Sequence, residues 1–169
     1  HLNIFTDALT KHLNKEHDII FTSYGGIPWL PDLEAWAKVI YPLLKPGGTM
    51  VLVEFHPTWM MLDFNNLEII YSYFNRGEPY IELPEGSYVD HSNASEPVQM
   101  EECFWNHSLS EVIQNLLAQG LILERFEEYD YSAWNCFPGM AEVAPGKYMR
   151  PGKETMLPLM FGLRLCKSG

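Results

Sequence analysis

The sequence predicts one α/β domain built on a mostly parallel sheet, and three observations carry that expectation. Residues 17–56, HDIIFTSYGGIPWLPDLEAWAKVIYPLLKPGGTMVLVEFH, read as strand, helix and strand. A capped amphipathic helix and another apolar strand follow between Ser108 and Phe126. The chain has 169 residues, 47% hydrophobic and 14% aromatic, enough to bury one sizeable core.

Asp18 to Ser23, DIIFTS, is a short apolar run closed by small polar residues and by Gly25, Gly26 and Pro28, as expected of a buried parallel strand. Asp32 is a helix N-cap, and Leu33, Trp36, Ala37, Ile40, Leu43 and Leu44 follow at helical spacing as one apolar stripe. Pro42 kinks or ends the last turn before Lys45-Pro46-Gly47-Gly48. Thr49 to Phe55, TMVLVEF, is a second strand whose near-continuous apolar character predicts burial on both faces, which completes a right-handed βαβ unit.

Ser108-Leu109-Ser110-Glu111 forms a capping box, and Val112, Ile113, Leu116 and Leu117 continue it as an amphipathic helix that stops at Gly120. Leu121 to Phe126 reads as a third strand. Leu157 to Cys166 is a last strand, with Pro158 favouring an edge or a strand start. The stretch from Thr58 to Trp105 is too long for a plain connection and is expected to be a lid-like insert with structure of its own. Its segments IIYSYF, YIEL and SYVD, around Pro84-Glu85-Gly86, predict a small hairpin or meander. Asp130 to Glu154, rich in Tyr, Pro and Gly, is expected to loop over one end of the sheet.

The formal charge of -11 leaves no cluster of Lys and Arg for a nucleic-acid backbone, so no nucleic-acid partner is expected. No apolar run approaches the length of a membrane span, and the start lacks the apolar core of a signal peptide, so a cytoplasmic protein without a membrane partner is expected. Cys103, Cys136 and Cys166 are isolated and odd in number, which fits a reducing compartment. The histidines have no ligand-like spacing, so no metal is expected. Glu101-Glu102 and Glu127-Glu128 read as solvated charge.

In open α/β sheets, ligands bind beyond the carboxyl ends of the strands. Two such ends, Thr22-Ser23-Tyr24-Gly25-Gly26 and Glu54-Phe55-His56-Pro57, fall on the same sheet edge in this topology. The dipeptide Asp18-Ile19, the polar exit Thr22-Ser23-Tyr24, the helix with Trp36 and the turn Leu44-Lys45-Pro46-Gly47-Gly48 before a strand resemble the fourth strand through the fifth strand of class I S-adenosylmethionine-dependent methyltransferases. The resemblance continues in order through the helix near Ser110, the strand from Leu121 and the last strand. It implies a Rossmann-like sheet of order 3-2-1-4-5-7-6 with an antiparallel last strand, here incomplete, and S-adenosylmethionine as cofactor.

On that resemblance Asp7-Ala8 matches the acidic motif after the third strand, whose acid contacts the adenine amino group, and Thr22, Ser23 and Tyr24 join it in cofactor binding. No glycine-rich donor-binding turn precedes Asp7, and the chain lacks an initiator Met, so residues 1–169 are expected to be one partial domain. Such a chain is expected to be inactive alone, to bind the cofactor weakly, and to self-associate through the exposed edge left at the strand from Asp18. His56 is the candidate general base, with Glu54 to orient it or the substrate. Trp29, Phe55, Tyr73 and Tyr80 are candidates for binding a small, flat, uncharged-to-cationic acceptor beneath the insert. Two other readings stand beside this one: a non-catalytic binding or assembly module on the same fold remnant, and another doubly wound nucleotide-cofactor enzyme.

Overall fold

The structure, a computed structural model, describes residues 16–83, 101–153 and 156–169. Strand β1 spans His17–Ser23, helix α1 Leu33–Leu43, and strand β2 Leu44–Phe55. A short antiparallel pair, β3 (Tyr80–Glu82) and β4 (Glu102–Phe104), precedes helix α2 (Leu109–Ala118) and strand β5 (Leu121–Tyr129). A second small hairpin, β6 (Ala141–Ala144) with β7 (Lys147–Met149), leads to β8 (Met160–Lys167).

The main sheet has the order β1-β2-β8-β5. β1 and β2 are parallel, and β8 runs antiparallel between β2 and β5, so three of the four strands point one way. This is the mixed Rossmann-like α/β architecture expected from the sequence, with β8 inside the sheet and Pro158 just before its start.

Helix α1 begins where the Asp32 carboxylate accepts the Ala35 N–H at 2.9 Å. It ends with Pro42 in its last turn, where Lys167 Nζ donates to the carbonyls of Tyr41 and Leu44. Helix α2 begins where Ser108 Oγ accepts the Glu111 N–H at 3.2 Å. Both helices pack on one face of the sheet. Trp36, Ala37, Ile40, Val112 and Leu116 meet Met50 and Leu52 of β2 and Phe161, Leu163 and Leu165 of β8 in a single core.

Burial on both faces, expected for β1 and β2, is not observed. Met50 and Leu52 are fully buried while Val51 and Val53 are half-buried, because the described helices cover only one side. In β1, Ile19 and Phe21 are 66% and 57% exposed, since this strand pairs with β2 alone and forms an open edge among the described residues.

The Lys45-Pro46-Gly47-Gly48 turn falls inside the span of β2 as an irregularity. The β1 partner moves from His17↔Leu44 directly to Ile19↔Thr49. Gly48 is required there, because a Cβ would lie 2.8 Å from the Lys45 carbonyl oxygen and 3.0 Å from that of His17.

The insert differs from its expected pairing. IIYSYF forms no strand beyond a single bridge of Ile69 to Leu62, and the partner of Tyr80–Glu82 is Glu102–Phe104. SYVD and the Pro84-Glu85-Gly86 turn lie outside the described residues. A second apolar cluster of Trp59, Leu62, Phe137, Met140, Leu159 and Met160 fastens the start of the insert and the 131–150 loop to the carboxyl end of the sheet.

Candidate active site

At the carboxyl end of β1 the chain turns sharply, with Tyr24 at φ 37° and Gly25 at φ 81°. This left-handed pair turns successive N–H groups of Gly25, Gly26 and Ile27 toward Glu54, at the end of β2. The Glu54 carboxylate is 2% exposed and accepts all three, together with its neighbour Phe55 N–H. Burial pushes the Glu54 carboxyl above its ordinary range, and the four backbone donors offset part of that rise. Glu54 therefore pins the β1 exit loop to the end of β2, with its oxygens fully engaged.

His56 is buried just past the strand. Its Nδ1 accepts the Thr58 N–H at 3.2 Å and meets Thr58 Oγ1 at 2.7 Å, while Nε2 lies 2.9 Å from Glu128 Oε1. The bonding fits a neutral ring assigned the Nε2–H tautomer, which donates to Glu128. Burial lowers the imidazole below its ordinary range and outweighs the opposing influence of Glu128. Glu128, whose side chain is 46% exposed as its reading as solvated charge implies, is also a histidine partner, a link between β5 and the β2 exit that sequence spacing does not display.

A cavity of about 770 Å³ opens where the ends of β1 and β2, the insert and the 131–150 loop converge. Tyr24, Gly25, Trp29 and Phe55 form its sheet side. Gly25 suits this wall because its φ of 81° lies in the left-handed region that favours glycine. Trp134 closes it from the loop, 4.5 Å from the Tyr24 ring and 5.7 Å from that of Phe55. Phe64 and Phe137, with centroids 4.4 Å apart, line its base.

The insert supplies Tyr71, Phe104, Glu82 and Glu102. The two acids stand directly opposite in the β3–β4 register. The Tyr71 hydroxyl donates to Glu82, and burial together with that carboxylate holds the phenol well above the ordinary tyrosine range. Glu102, expected to be solvated charge, thus borders the cavity.

Of the residues singled out from the sequence, Tyr24, Trp29 and Phe55 meet at this cavity. Glu54 and His56 lie outside its lining. Thr22 and Ser23 border an open apolar groove along β1 and α1 instead. Tyr73 Oη accepts the Leu109 N–H at 3.3 Å, and Tyr80 Oη accepts the Ser72 N–H at 2.8 Å, so these two tyrosines brace the insert. Tyr80 also packs on Tyr71 and Phe104, behind the lining. Asp7 and Ala8 fall outside the described residues.

A buried histidine fastens this arrangement. His107 Nε2 donates to the Leu30 carbonyl at 2.8 Å, and its Nδ1 lies 2.9 Å from Glu111 Oε1. Glu111, the acid of the capping box, turns to His107 and to Asn75 of the insert. Burial raises its carboxyl, but the His107, Asn75 and Ser108 bonds outweigh that and hold it below its ordinary range. Tyr71 belongs to the insert aromatics expected to meet an acceptor, whereas Glu82, Phe104 and Trp134 were missed in the sequence because they carry no motif.

No protein-family model matches the sequence, and no curated protein sequence matches it. Solved structures do match. A Listeria monocytogenes protein assigned as an S-adenosylmethionine-dependent methyltransferase aligns at a TM-score of 0.57 and 13% identity, over 92% of this chain and 63% of its own. A S-adenosylmethionine-dependent methyltransferase from Methanosarcina mazei aligns at 0.52 and 16% identity, over 99% and 65%. One from Mesorhizobium loti aligns at 0.52 and 13% identity, over 90% and 62%. The chain therefore spans less than two thirds of the length of these structures. The sheet order, the antiparallel β8 and these alignments together give the chain the fold of class I S-adenosylmethionine-dependent methyltransferases.

Proposed function

We propose that the protein is an S-adenosylmethionine-dependent methyltransferase acting on a small-molecule acceptor, with the aromatic cavity as the place where acceptor and methyl donor meet. The activity is proposed for the protein as a whole, because the chain covers only 63% of the length of a structure it resembles. The observation that carries the reading is the aromatic cavity at the carboxyl ends of β1 and β2, where ligands gather in open α/β sheets.

When bound, S-adenosylmethionine supplies an electrophilic methyl group on a positively charged sulfur. The residues present suit its sulfonium end: Tyr24, Phe55 and Trp134 offer ring faces, and Gly25 allows close backbone approach. Thr22 and Ser23 border the groove beside that wall, and Asp7 and Ala8 are proposed as adenine contacts on family resemblance alone. The reaction asks mainly for alignment and exclusion of water. In this reading Glu54 is a positioning residue that sets the Tyr24-Gly25 turn, and His56 steadies the β2 exit through Thr58 and Glu128. Trp29 and Phe55 contact the acceptor, while Tyr73 and Tyr80 act by holding the insert.

The test is calorimetry with S-adenosylhomocysteine and transfer of isotopically labelled methyl from S-adenosylmethionine to an acceptor panel, using the complete protein. Failure of both sinks the proposal. A binding or assembly module is the second reading, favoured by the exposed Ile19 and Phe21 on β1. It predicts self-association with no affinity for S-adenosylhomocysteine.

A further inference from the structure

We infer that the cavity selects an amine in its ammonium form, carried on a flat apolar body, and that Glu82 and Glu102 are the specificity-determining residues, one of their carboxylates taking the ammonium proton so that the nitrogen lone pair is free to accept the methyl group. The inference rests on the acceptor-site reading above and names its substrate class.

Glu82 and Glu102 form a like-charge pair across β3 and β4. Acids directly opposite in an antiparallel ladder repel one another. Glu82 and Glu102 occupy such positions, and among the described residues neither is paired with a Lys, Arg or His. The cavity they border includes no basic side chain among its lining residues. Residues 77–124 contain no lysine or arginine, although Glu78, Glu85, Asp90, Glu96 and Glu101 fall within them.

The rest of the lining narrows the ligand. Tyr71 donates its hydroxyl to Glu82, which fixes that carboxylate's orientation. Phe104 stands beside Tyr71 with centroids 5.3 Å apart and rings nearly perpendicular, and Trp29 and Trp134 also line the cavity. Ring faces attract a cation and shelter a flat apolar body, and two acids repel an anionic one. A metal ion is a poorer match, since hard cations ask for six or more oxygen ligands and aromatic carbon dominates here. The volume of about 770 Å³ holds a molecule well beyond a single amine group.

The test uses three probes of one shape on the full chain: 2-phenylethylamine, 2-phenylethanol and 3-phenylpropionate, titrated while the indole N–H signals of Trp29 and Trp134 are followed by NMR. The amine is expected to bind at least about tenfold more tightly than the alcohol. The propionate is expected not to bind. Glu82→Gln with Glu102→Gln should bring amine and alcohol to parity, Tyr71→Phe should reduce the preference, and Glu78→Gln should leave it unchanged. Equal binding of amine and alcohol by the unaltered protein, or an amine preference that survives the double substitution, overturns the inference. The assay needs no methyl donor, so its outcome is separate from that of the methyl-transfer test. Amine selection without methyl transfer sinks the enzyme reading alone, and methyl transfer confined to neutral or acidic acceptors sinks this one alone.

Discussion

Replacing Glu54 by glutamine tests how the β1 exit loop is held. The carboxylate takes Gly25 N–H at 2.5 Å and Phe55 N–H at 2.7 Å on Oε1, and Gly26 N–H at 2.8 Å and Ile27 N–H at 3.1 Å on Oε2. Glutamine keeps one oxygen, hence two of these bonds in weaker neutral form, and turns an NH2 group against the other two donors. Hydrogen bonds to a charged acceptor contribute about 1.5–3 kcal/mol each, so losing two removes about 3–6 kcal/mol. Relief of the buried charge returns part of that, leaving an expected loss of about 2–4 kcal/mol. This is a large fraction of the roughly 5–15 kcal/mol that holds a domain together. Urea unfolding followed by tryptophan fluorescence should show a lower midpoint with an unchanged slope. Hydrogen exchange should accelerate at Gly25, Gly26 and Ile27 in particular. An unfolding free energy within about 0.5 kcal/mol of the parent's, with those amides still protected, would refute the clamp.

Other outcomes follow from the same geometry. Because burial depresses the His56 imidazole, the folded state favours its neutral form, and the stability this gives is complete above the ordinary value near 6.5. It is lost as pH falls from about 6.5 through the lower folded value, and His56→Gln should flatten that part of a stability-against-pH curve. His107→Ala leaves the Leu30 carbonyl and Glu111 without their partner and should cost about 2–4 kcal/mol by thermal or urea unfolding; a neutral result would show the network to be dispensable. Tyr73→Phe, which removes only the acceptor for Leu109 N–H, should cost about 0.5–1.5 kcal/mol without moving amine affinity; a lost affinity would place Tyr73 in the site. Phe21→Lys on the open edge should leave stability within about 0.5 kcal/mol and reduce self-association in sedimentation; an unchanged profile would remove β1 from any contact between copies.

The sequence by itself determined the strand-helix-strand unit, both helix caps and the family to which the sheet is similar. Those features rest on contacts within a few residues, such as Asp32 with Ala35 and Ser108 with Glu111, or on periodicity along one element. Tertiary structure decided the rest. One covered face instead of two for β2 depends on which side the helices pack, and near-continuous apolar runs do not encode that. The partner of Tyr80–Glu82 lies about fifteen residues further along than a tight hairpin would put it, and nothing local to YIEL specifies so distant a pairing.

The site divides in the same way. Tyr24, Trp29 and Phe55 were legible because strand ends in a βαβ unit share an edge. Glu54 was legible as a strand-end acid that would orient His56 or the substrate, but its four backbone donors come mostly from residues 25–27, so its use as a clamp exists only once β1 and β2 pair. Glu128 and Glu102 read as surface charge in the chain. Register across β5, β8 and β2 sets the first against His56, and register across β3 and β4 sets the second opposite Glu82. Local sequence states which side chains are available, and only long-range pairing brings their charges within reach of one another.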